Sequence, residues 1–364
     1  MSNIKSHISN IQSQLESAYP ADEAEALAWW IMEEVTGLSR SQILSGCKGT
    51  TNFPKLQDFC DKNDLCLHKN LFIAQKDCSS QDNANVASGE DVNQAESEDT
   101  KILQPIIDRL LHFEPIQYIF GHTLWNGLDL LVTPATLIPR PETAELVEAI
   151  VNKFNRPSIV NRRSPDRQFH VLDVGTGSGC IAIALKKAHP EWQITGIDIS
   201  PEAIKIAKEN AKRNGVEVDF KVADIFSDFN GENLQSIVHR TSSFVHRTSS
   251  FVHHFDIVVS NPPYICESEK ASMRPNVLNY EPASALFVPD NDPLRFYRRI
   301  AELLRTSFVH RTSALRTSSL LFFEINEAYP AELSAMLDQL GYTDIQITND
   351  IYGKPRIIEA RMAG

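Results

Sequence analysis

Groups that can do chemistry recur in the second half of the chain, each at the end of an apolar run. "VLDVGTGSGCIAIA" places Asp173 just ahead of Gly175, Thr176, Gly177, Ser178 and Gly179. Asp198 closes "ITGIDIS", and Asp224 lies in "VADIF" with Ile225 beside it. "IVVSNPPY" ends on Asn261, Pro262, Pro263 and Tyr264. Glycines between a strand and a helix let the backbone approach a ligand closely and turn tightly into the helix amino terminus. Such a loop alone leaves the ligand open, because pyrophosphate-binding loops use a similar glycine spacing. Prolines after an apolar run raise a second question. Proline has no N–H and a fixed φ, so the run cannot continue as a central strand. Either the tetrad is a plain turn, or the chemistry needs a rigid group of acceptors there.

The acids narrow the ligand. Asp173, before the first glycine, suits the ammonium of an amino-acid moiety better than a pyrophosphate. Asp198 can accept both hydroxyls of a ribose, and Asp224 ends the next strand, where it can meet an adenine amino group. Three acids at three successive strand ends suit a cationic, phosphate-free nucleoside such as S-adenosylmethionine.

These residues need a scaffold, and the remaining sequence outlines one. With 364 residues, 42% of them hydrophobic, the chain is long enough for two domains. A net charge of −12 argues against a broad nucleic-acid footprint. In "ADEAEALAWWIMEEV", Ala24, Leu27, Ala28, Ile31 and Val35 share one helical face, so a small all-helical domain is expected over 1–115. Within it, 75–100 is polar, acidic and poor in large apolar residues, the composition of a disordered insertion. A linker or hairpin is expected over 116–140 and the main domain over 141–364. There, strand and helix patterns alternate, and "YTDIQITND" and "PRIIEARM" read as antiparallel strands at the end. That alternation predicts an α/β fold, a mostly parallel sheet covered on both faces, with the antiparallel element C-terminal. Two segments interrupt it: "VHRTSSFVHRTSSFVHHF" repeats with period seven, and its words return in "SFVHRTSALRTSS". Phe and Val are adjacent in the repeats, so no coiled-coil seam forms. They read as loop insertions, 238–254 and 307–319, ahead of strands four and five and thus away from the carboxyl ends where ligands bind in such folds. No metal site is expected from their histidines, 239, 246, 253, 254 and 310. Six cysteines without a CxxC pair suggest free thiols, and no stretch has the pattern of a signal peptide or membrane span. A cytoplasmic protein is expected.

In this order, "DVGTGSG", "GIDIS" and "NPPYI" resemble a class I methyltransferase acting on a planar nitrogen. "FEPIQYIFGHTLWNGLDLLVTPATLIPRPETAELVE" (113–148), "YEPASALF" (280–287) and "DIYGKPR" (350–356) resemble the release-factor glutamine methyltransferases. The resemblance implies a Rossmann-like sheet behind a helical substrate-recognition domain, with S-adenosylmethionine as cofactor. It also implies a substrate, the glutamine of the Gly-Gly-Gln loop of bacterial peptide-chain release factors. No membrane or direct nucleic-acid partner is expected, and the chain is expected to be a monomer. Asn261, Pro262, Pro263 and Tyr264 would then bind that glutamine, with Asn261 beside the cofactor as well. A carboxamide nitrogen is a poor nucleophile. Asn261 and the Pro262 carbonyl offer acceptors for its N–H groups, proline adds no competing donor, and Tyr264 can stack on the flat amide. The alternative substrate is an exocyclic amine of adenine or guanine, which presents the same planar nitrogen. Trp125, where the family usually has Phe, has two readings: the opposite wall of the amide slot, or a buried hairpin anchor. Arg140 and Glu142 of "PRPET" either line the site or lock the hairpin. The chain departs from the family's "PRPETE" at Ala144, and a repeat replaces the short glycine turn before the fifth strand.

Overall fold

The computed structural model describes residues 2–45, 98–155, 169–227, 255–309 and 318–362, in two compact units, 1–120 and 121–364. Repeat 238–254, residues 310–317 of the second repeat, all five repeat histidines, and Cys47, Cys60, Cys66 and Cys78 lie outside the described residues, as do 75–97 of the expected insertion.

The described residues of the first unit are helical. Ser2–Leu15, Ala21–Thr36 and Glu98–Leu111 bury Ile11, Leu15, Ala24, Ala28, Ile31, Ile107 and Leu110 against one another, with the short helices Arg40–Ser45 and Ile116–Phe120 contributing Ile43 and Ile119. Of the face expected on the second helix, Ala24, Ala28 and Ile31 are fully buried, while Leu27 and Val35 pack at its margin. Residues 98–100, expected within the insertion, are already helical. Burial of Ile102 and Leu103 gives this helix a packing face close to its start.

Among the described residues of the second unit, seven strands form one sheet: β3 (His170–Val174), β4 (Gln193–Asp198), β5 (Asp219–Val222), β6 (Ile257–Ser260), β9 (Ser319–Glu324), β10 (Tyr342–Asn349) and β11 (Pro355–Met362), in the order β10-β11-β9-β6-β3-β4-β5. The five from β9 to β5 are parallel; β11 runs antiparallel to β9, and β10 to β11. Strands four and five of the sequence pattern, β6 and β9, are neighbours. Alternate residues feed the two faces. Leu172, Val258, Leu321 and Phe323 pack under the helices Arg295–Val309 and Pro330–Gln339. Val171, Ile257, Val259, Leu320 and Phe322 pack under Pro141–Phe154, Cys180–Ala188 and Pro201–Arg213. With both faces covered, β6 and β9 are buried throughout. The helix Arg295–Val309 runs three residues into the second repeat, which was expected as loop from 307. Nothing from Leu304 to Val309 is a proline or glycine that would stop it.

The remaining strands are short: β1 (His122–Trp125) and β2 (Leu128–Leu131) form a hairpin, and β7 (Ile265–Cys266) pairs with β8 (Phe287–Val288). Asn126 and Gly127 turn the hairpin with φ of 46° and 73°, the pair of positive values that a two-residue type I′ turn requires. Expected as an interdomain hairpin or linker, the segment forms a hairpin whose two strands lie within the second unit. Trp125, Leu128 and Leu130 sit in the same core as Leu146 and Ile150, and Asn210 clamps β2 by accepting from Leu131 N and donating to Leu131 O.

The chain winds from β3 to β5 on one side and from β6 onward on the other. Its topological switch point therefore lies between β3 and β6, where open α/β sheets bind ligands at the carboxyl ends.

Candidate active site

The carboxyl ends of β5, β4, β3, β6 and β9 lie in a row, and each carries a residue of interest. Asp198 pairs with Val222, so Asp224 follows two residues beyond it. Val174 pairs with Ser260, whose hydroxyl donates to Val174 O at 2.6 Å, so the glycine loop and Asn261 leave adjacent strands side by side. Glu324 ends β9.

On the β3–β4 side, Asp173 is fully buried. The Thr176 hydroxyl donates to its Oδ2 at 2.6 Å, but its Oδ1 has no partner among the described residues. Burial pushes the Asp173 carboxyl up to about 7. An orphaned buried carboxylate oxygen is costly unless a donor, best a cation, meets it. Gly177 adopts φ +54° with open space where a Cβ would stand, as a ligand cradle requires. Gly179 instead lets helix meet strand: a Cβ there would lie 3.0 Å from the Phe220 ring and 3.1 Å from Ala207. Gly177 N donates to Asp198 Oδ2 and Ser200 N to Oδ1, both at 2.9 Å, so Asp198 shapes the loop with one lone pair of each oxygen. Burial raises the Asp198 carboxyl above its ordinary range. Asp224 is engaged locally, accepting from Phe226 N at 2.8 Å and from the Ser227 hydroxyl at 2.9 Å. Ile225 is buried, and its carbonyl accepts from Arg299. Sequence reasoning passed over two residues here. Gly196 of β4 leaves room for Phe220 and Thr176, which a Cβ would meet at 2.6 and 2.9 Å, and Ile199, directly after Asp198, is 61% exposed. Cys180 opens the next helix, but burial foremost and then the Asp173 charge push its thiol up to about 12, so it is no nucleophile.

On the β6–β9 side, Asn261 Nδ2 donates to Thr143 Oγ1 at 3.1 Å, and the Thr143 hydroxyl donates to Glu324 Oε2 at 2.7 Å. The Tyr264 hydroxyl donates to the other oxygen of Glu324 at 3.1 Å. Tyr264 O in turn accepts from Asn326 at 3.0 Å. Pro262 is buried, and Asn261, Pro263 and Tyr264 are partly exposed. Glu324 is 1% exposed. Burial raises its carboxyl, the Glu142 charge adds to the rise, and the donors Thr143 and Tyr264 with the Arg356 charge oppose it. Burial, then Glu324, hold the Tyr264 phenol well above its usual range, so it remains a donor.

The "PRPET" segment therefore reaches the tetrad through Thr143, which the sequence did not single out; its hydroxyl spacing carries no motif of its own. Arg140 is an inward lock: its guanidinium pairs with buried Glu281 of "YEPAS", which also accepts from Ile138 N at 3.1 Å. Trp125 is 6% exposed, lies in the core, and donates its indole N–H to Arg140 O at 2.8 Å. These are the contacts of a hairpin anchor. From "DIYGKPR", Arg356 bonds Asp350 at 3.2 Å beside this network. Among the described residues, no group of three or more His, Cys, Asp or Glu is arranged to hold a metal ion.

The glycine loop and the Asn-Pro-Pro-Tyr segment thus leave adjacent strands at the switch point. A family model described as "Methyltransferase domain" matches residues 165–308. More specifically, the chain is 45% identical over 258 residues to the release factor glutamine methyltransferase of Bacteroides thetaiotaomicron, covering 71% of this chain and 80% of that protein. It is 38% identical to the one from Flavobacterium psychrophilum, covering 70% and 78%. The chain belongs to the release factor glutamine methyltransferase family. A solved protein-(glutamine-N5) methyltransferase (release factor-specific) from Alicyclobacillus acidocaldarius overlaps with a TM-score of 0.32 at 22% identity, covering 64% of this chain and 99% of that one.

Proposed function

We propose that this chain methylates the side-chain amide nitrogen of the glutamine in the Gly-Gly-Gln motif of bacterial peptide-chain release factors, using S-adenosylmethionine. One observation carries the reading. Asn261, next to the glycine loop, has its amide nitrogen tied inward to Thr143, so its carbonyl oxygen is the end left for a substrate N–H. When bound, S-adenosylmethionine supplies a sulfonium methyl, whose transfer forms an N–C bond, leaves a neutral thioether and frees one amide proton to water.

The chain's own residues bind and orient. Asp173 Oδ1 takes the cofactor's ammonium, Asp198 its ribose hydroxyls through the lone pairs the loop leaves over, and Gly175, Thr176, Gly177, Ser178 and Gly179 cradle it closely. Asp224 and Ile225 border the adenine, and exposed Ile199 offers an apolar platform to its face. Asn261 Oδ1 and the Pro262 carbonyl would accept the substrate's two N–H bonds and so fix the orientation of its amide nitrogen. Pro263 stiffens the ledge, and Tyr264 covers the flat amide and excludes water. Positioning then supplies most of the acceleration. Trp125 acts by fixing the Arg140 backbone. The helical unit 1–120 recognises the protein substrate, and a translation factor as substrate places the reaction in the cytoplasm.

The test is a methyl-transfer assay with labelled cofactor that offers release factor, a release factor with Gln→Asn in its Gly-Gly-Gln motif, DNA and rRNA in parallel. Label is expected in the first alone. Label in DNA or rRNA instead would overturn the substrate.

A further inference from the structure

We infer that Glu324, acting through the Thr143 hydroxyl, is the positioning group that sets which end of the Asn261 carboxamide faces the substrate. This rests on the methyl-transfer reading above and gives roles to Thr143 and Glu324, which the sequence did not single out.

A carboxamide has two ends of nearly equal size and opposite polarity, so packing alone does not choose between them. On this ledge the choice decides function, because only the oxygen end can accept a substrate N–H. Glu324 resolves it by logic of donors and acceptors. Its carboxylate, 1% exposed at the end of β9, only accepts when ionised. The Thr143 hydroxyl has one proton and gives it to Glu324 Oε2 at 2.7 Å, so the Thr143 oxygen is left as an acceptor. Asn261 must then present its NH2 to Thr143, as it does at 3.1 Å, and its oxygen turns the other way. The second oxygen of Glu324 takes the Tyr264 hydroxyl at 3.1 Å, so the same carboxylate holds the covering ring. Each step removes an alternative that would otherwise remain open, and the chain of bonds ends on a strand whose main chain is fixed in the sheet: Glu324 pairs with Ile357, and Glu324 O accepts from Tyr297 at 3.1 Å.

The relay is tested with Thr143→Val, which keeps the shape and deletes the hydroxyl, Thr143→Ser, which restores it, and Glu324→Gln, which keeps volume but offers one acceptor where two hydroxyls donate. Thr143→Val is expected to lower kcat for release-factor methylation by at least about 10-fold, in line with the sensitivity of oriented reactions to small misplacements. Its affinity for S-adenosylhomocysteine by calorimetry should stay within about twofold, since Asp173 and Asp198 are untouched, and Thr143→Ser should recover most of kcat. Glu324→Gln should lower kcat in the same way. A kcat near wild type in Thr143→Val, or a loss that Thr143→Ser shares equally, overturns the relay. Should Thr143→Val fail to fold, Glu324→Gln decides on the same terms. A substrate-free readout separates this from the substrate reading: the Asn261 side-chain NH2 signals in an NMR spectrum should be hydrogen-bonded in wild type and Thr143→Ser and lose that bond in Thr143→Val. Identical signals in all three overturn the relay even if another substrate proves correct. A wild-type chain that methylates no release factor overturns only the substrate.

Discussion

The two halves of the carboxyl edge are held together in different ways. On the β3–β4 side the bonds that shape the cradle are short in sequence: Thr176 to Asp173 spans 3 residues, Ser200 to Asp198 spans 2, and Gly177 to Asp198 spans 21. This half also keeps one buried oxygen, Asp173 Oδ1, without a partner. On the β6–β9 side the bonds span 118, 181 and 60 residues, from Asn261 to Thr143, Thr143 to Glu324 and Tyr264 to Glu324. No side-chain atom of that network is buried and unpaired. The cradle thus keeps a buried acceptor open, whereas the bonds of the ledge already fix the Asn261 amide nitrogen and the Tyr264 hydroxyl.

The largest expected effect follows from breaking the ledge alone. Asn261→Ala removes the outward acceptor and strands the Thr143 oxygen. Methyl transfer should fall by at least about 10²-fold, the scale for losing a group that orients or stabilises the reacting atoms. Cofactor affinity should be largely retained, because the cradle's bonds are internal to its own half. Single-turnover rates and calorimetric affinity on the same sample separate the two halves; a matched loss of both would show that they are not independent.

A smaller effect comes from the cradle, and it depends on pH. Asp173 has a folded-state value near 7 against an ordinary 3.8. Such a group favours the folded protein below its unfolded value, and that contribution is lost as pH rises through about 7. An ammonium against Oδ1 favours the ionised carboxylate, so ligand binding should reverse that loss. S-adenosylhomocysteine carries the same ammonium, which stays charged below about pH 7.5. Its affinity should therefore weaken as pH falls from about 7.5 to 5.5, and Asp173→Asn should bind roughly 10-fold more weakly or worse with a flat profile over that range. A wild-type profile equally flat would remove the Asp173–ammonium pair.

Legibility in the sequence followed the same division. Asp173, Gly177 and Asp198 stand within one strand-turn-helix and the strand after it, so their spacing reports their geometry. The doubly covered sheet was legible too, because "IVVS" and "SLLFFE" hold unbroken apolar runs, Ile257–Val259 and Leu320–Phe323, without alternation. Thr143 and Glu324 were not, since one lies on a helix and the other ends a strand 181 residues later, and only the fold brings them to Asn261. Gly196 was missed for a similar reason: its need for a missing Cβ comes from Phe220 on the neighbouring strand. The hairpin itself was legible, because "LWNG" announces a turn, but what the turn packs on was not. That depends on Leu146 and Ile150, whose helix it covers.

Trp125 is where the two readings of that hairpin diverge, and a small substitution separates them. Its indole N–H donates to Arg140 O at 2.8 Å, and its ring is 6% exposed in the core shared with Leu146. Trp125→Phe keeps an aromatic ring but deletes the donor, leaving Arg140 O without that bond. As an anchor, the residue should lose roughly 1 kcal/mol of stability, the net worth of one hydrogen bond, visible as a lower midpoint in urea. Arg140 remains tied to Glu281, and Thr143 remains three residues further along the same helix start, so kcat and KM for the release factor should be unchanged. If the indole instead formed a wall of the amide slot, the smaller ring would leave a gap beside the substrate, and KM would rise with stability barely altered. The two outcomes move different observables in one variant, so the urea midpoint and the KM together decide whether the β1–β2 hairpin touches the substrate or only supports the segment that leads to Thr143.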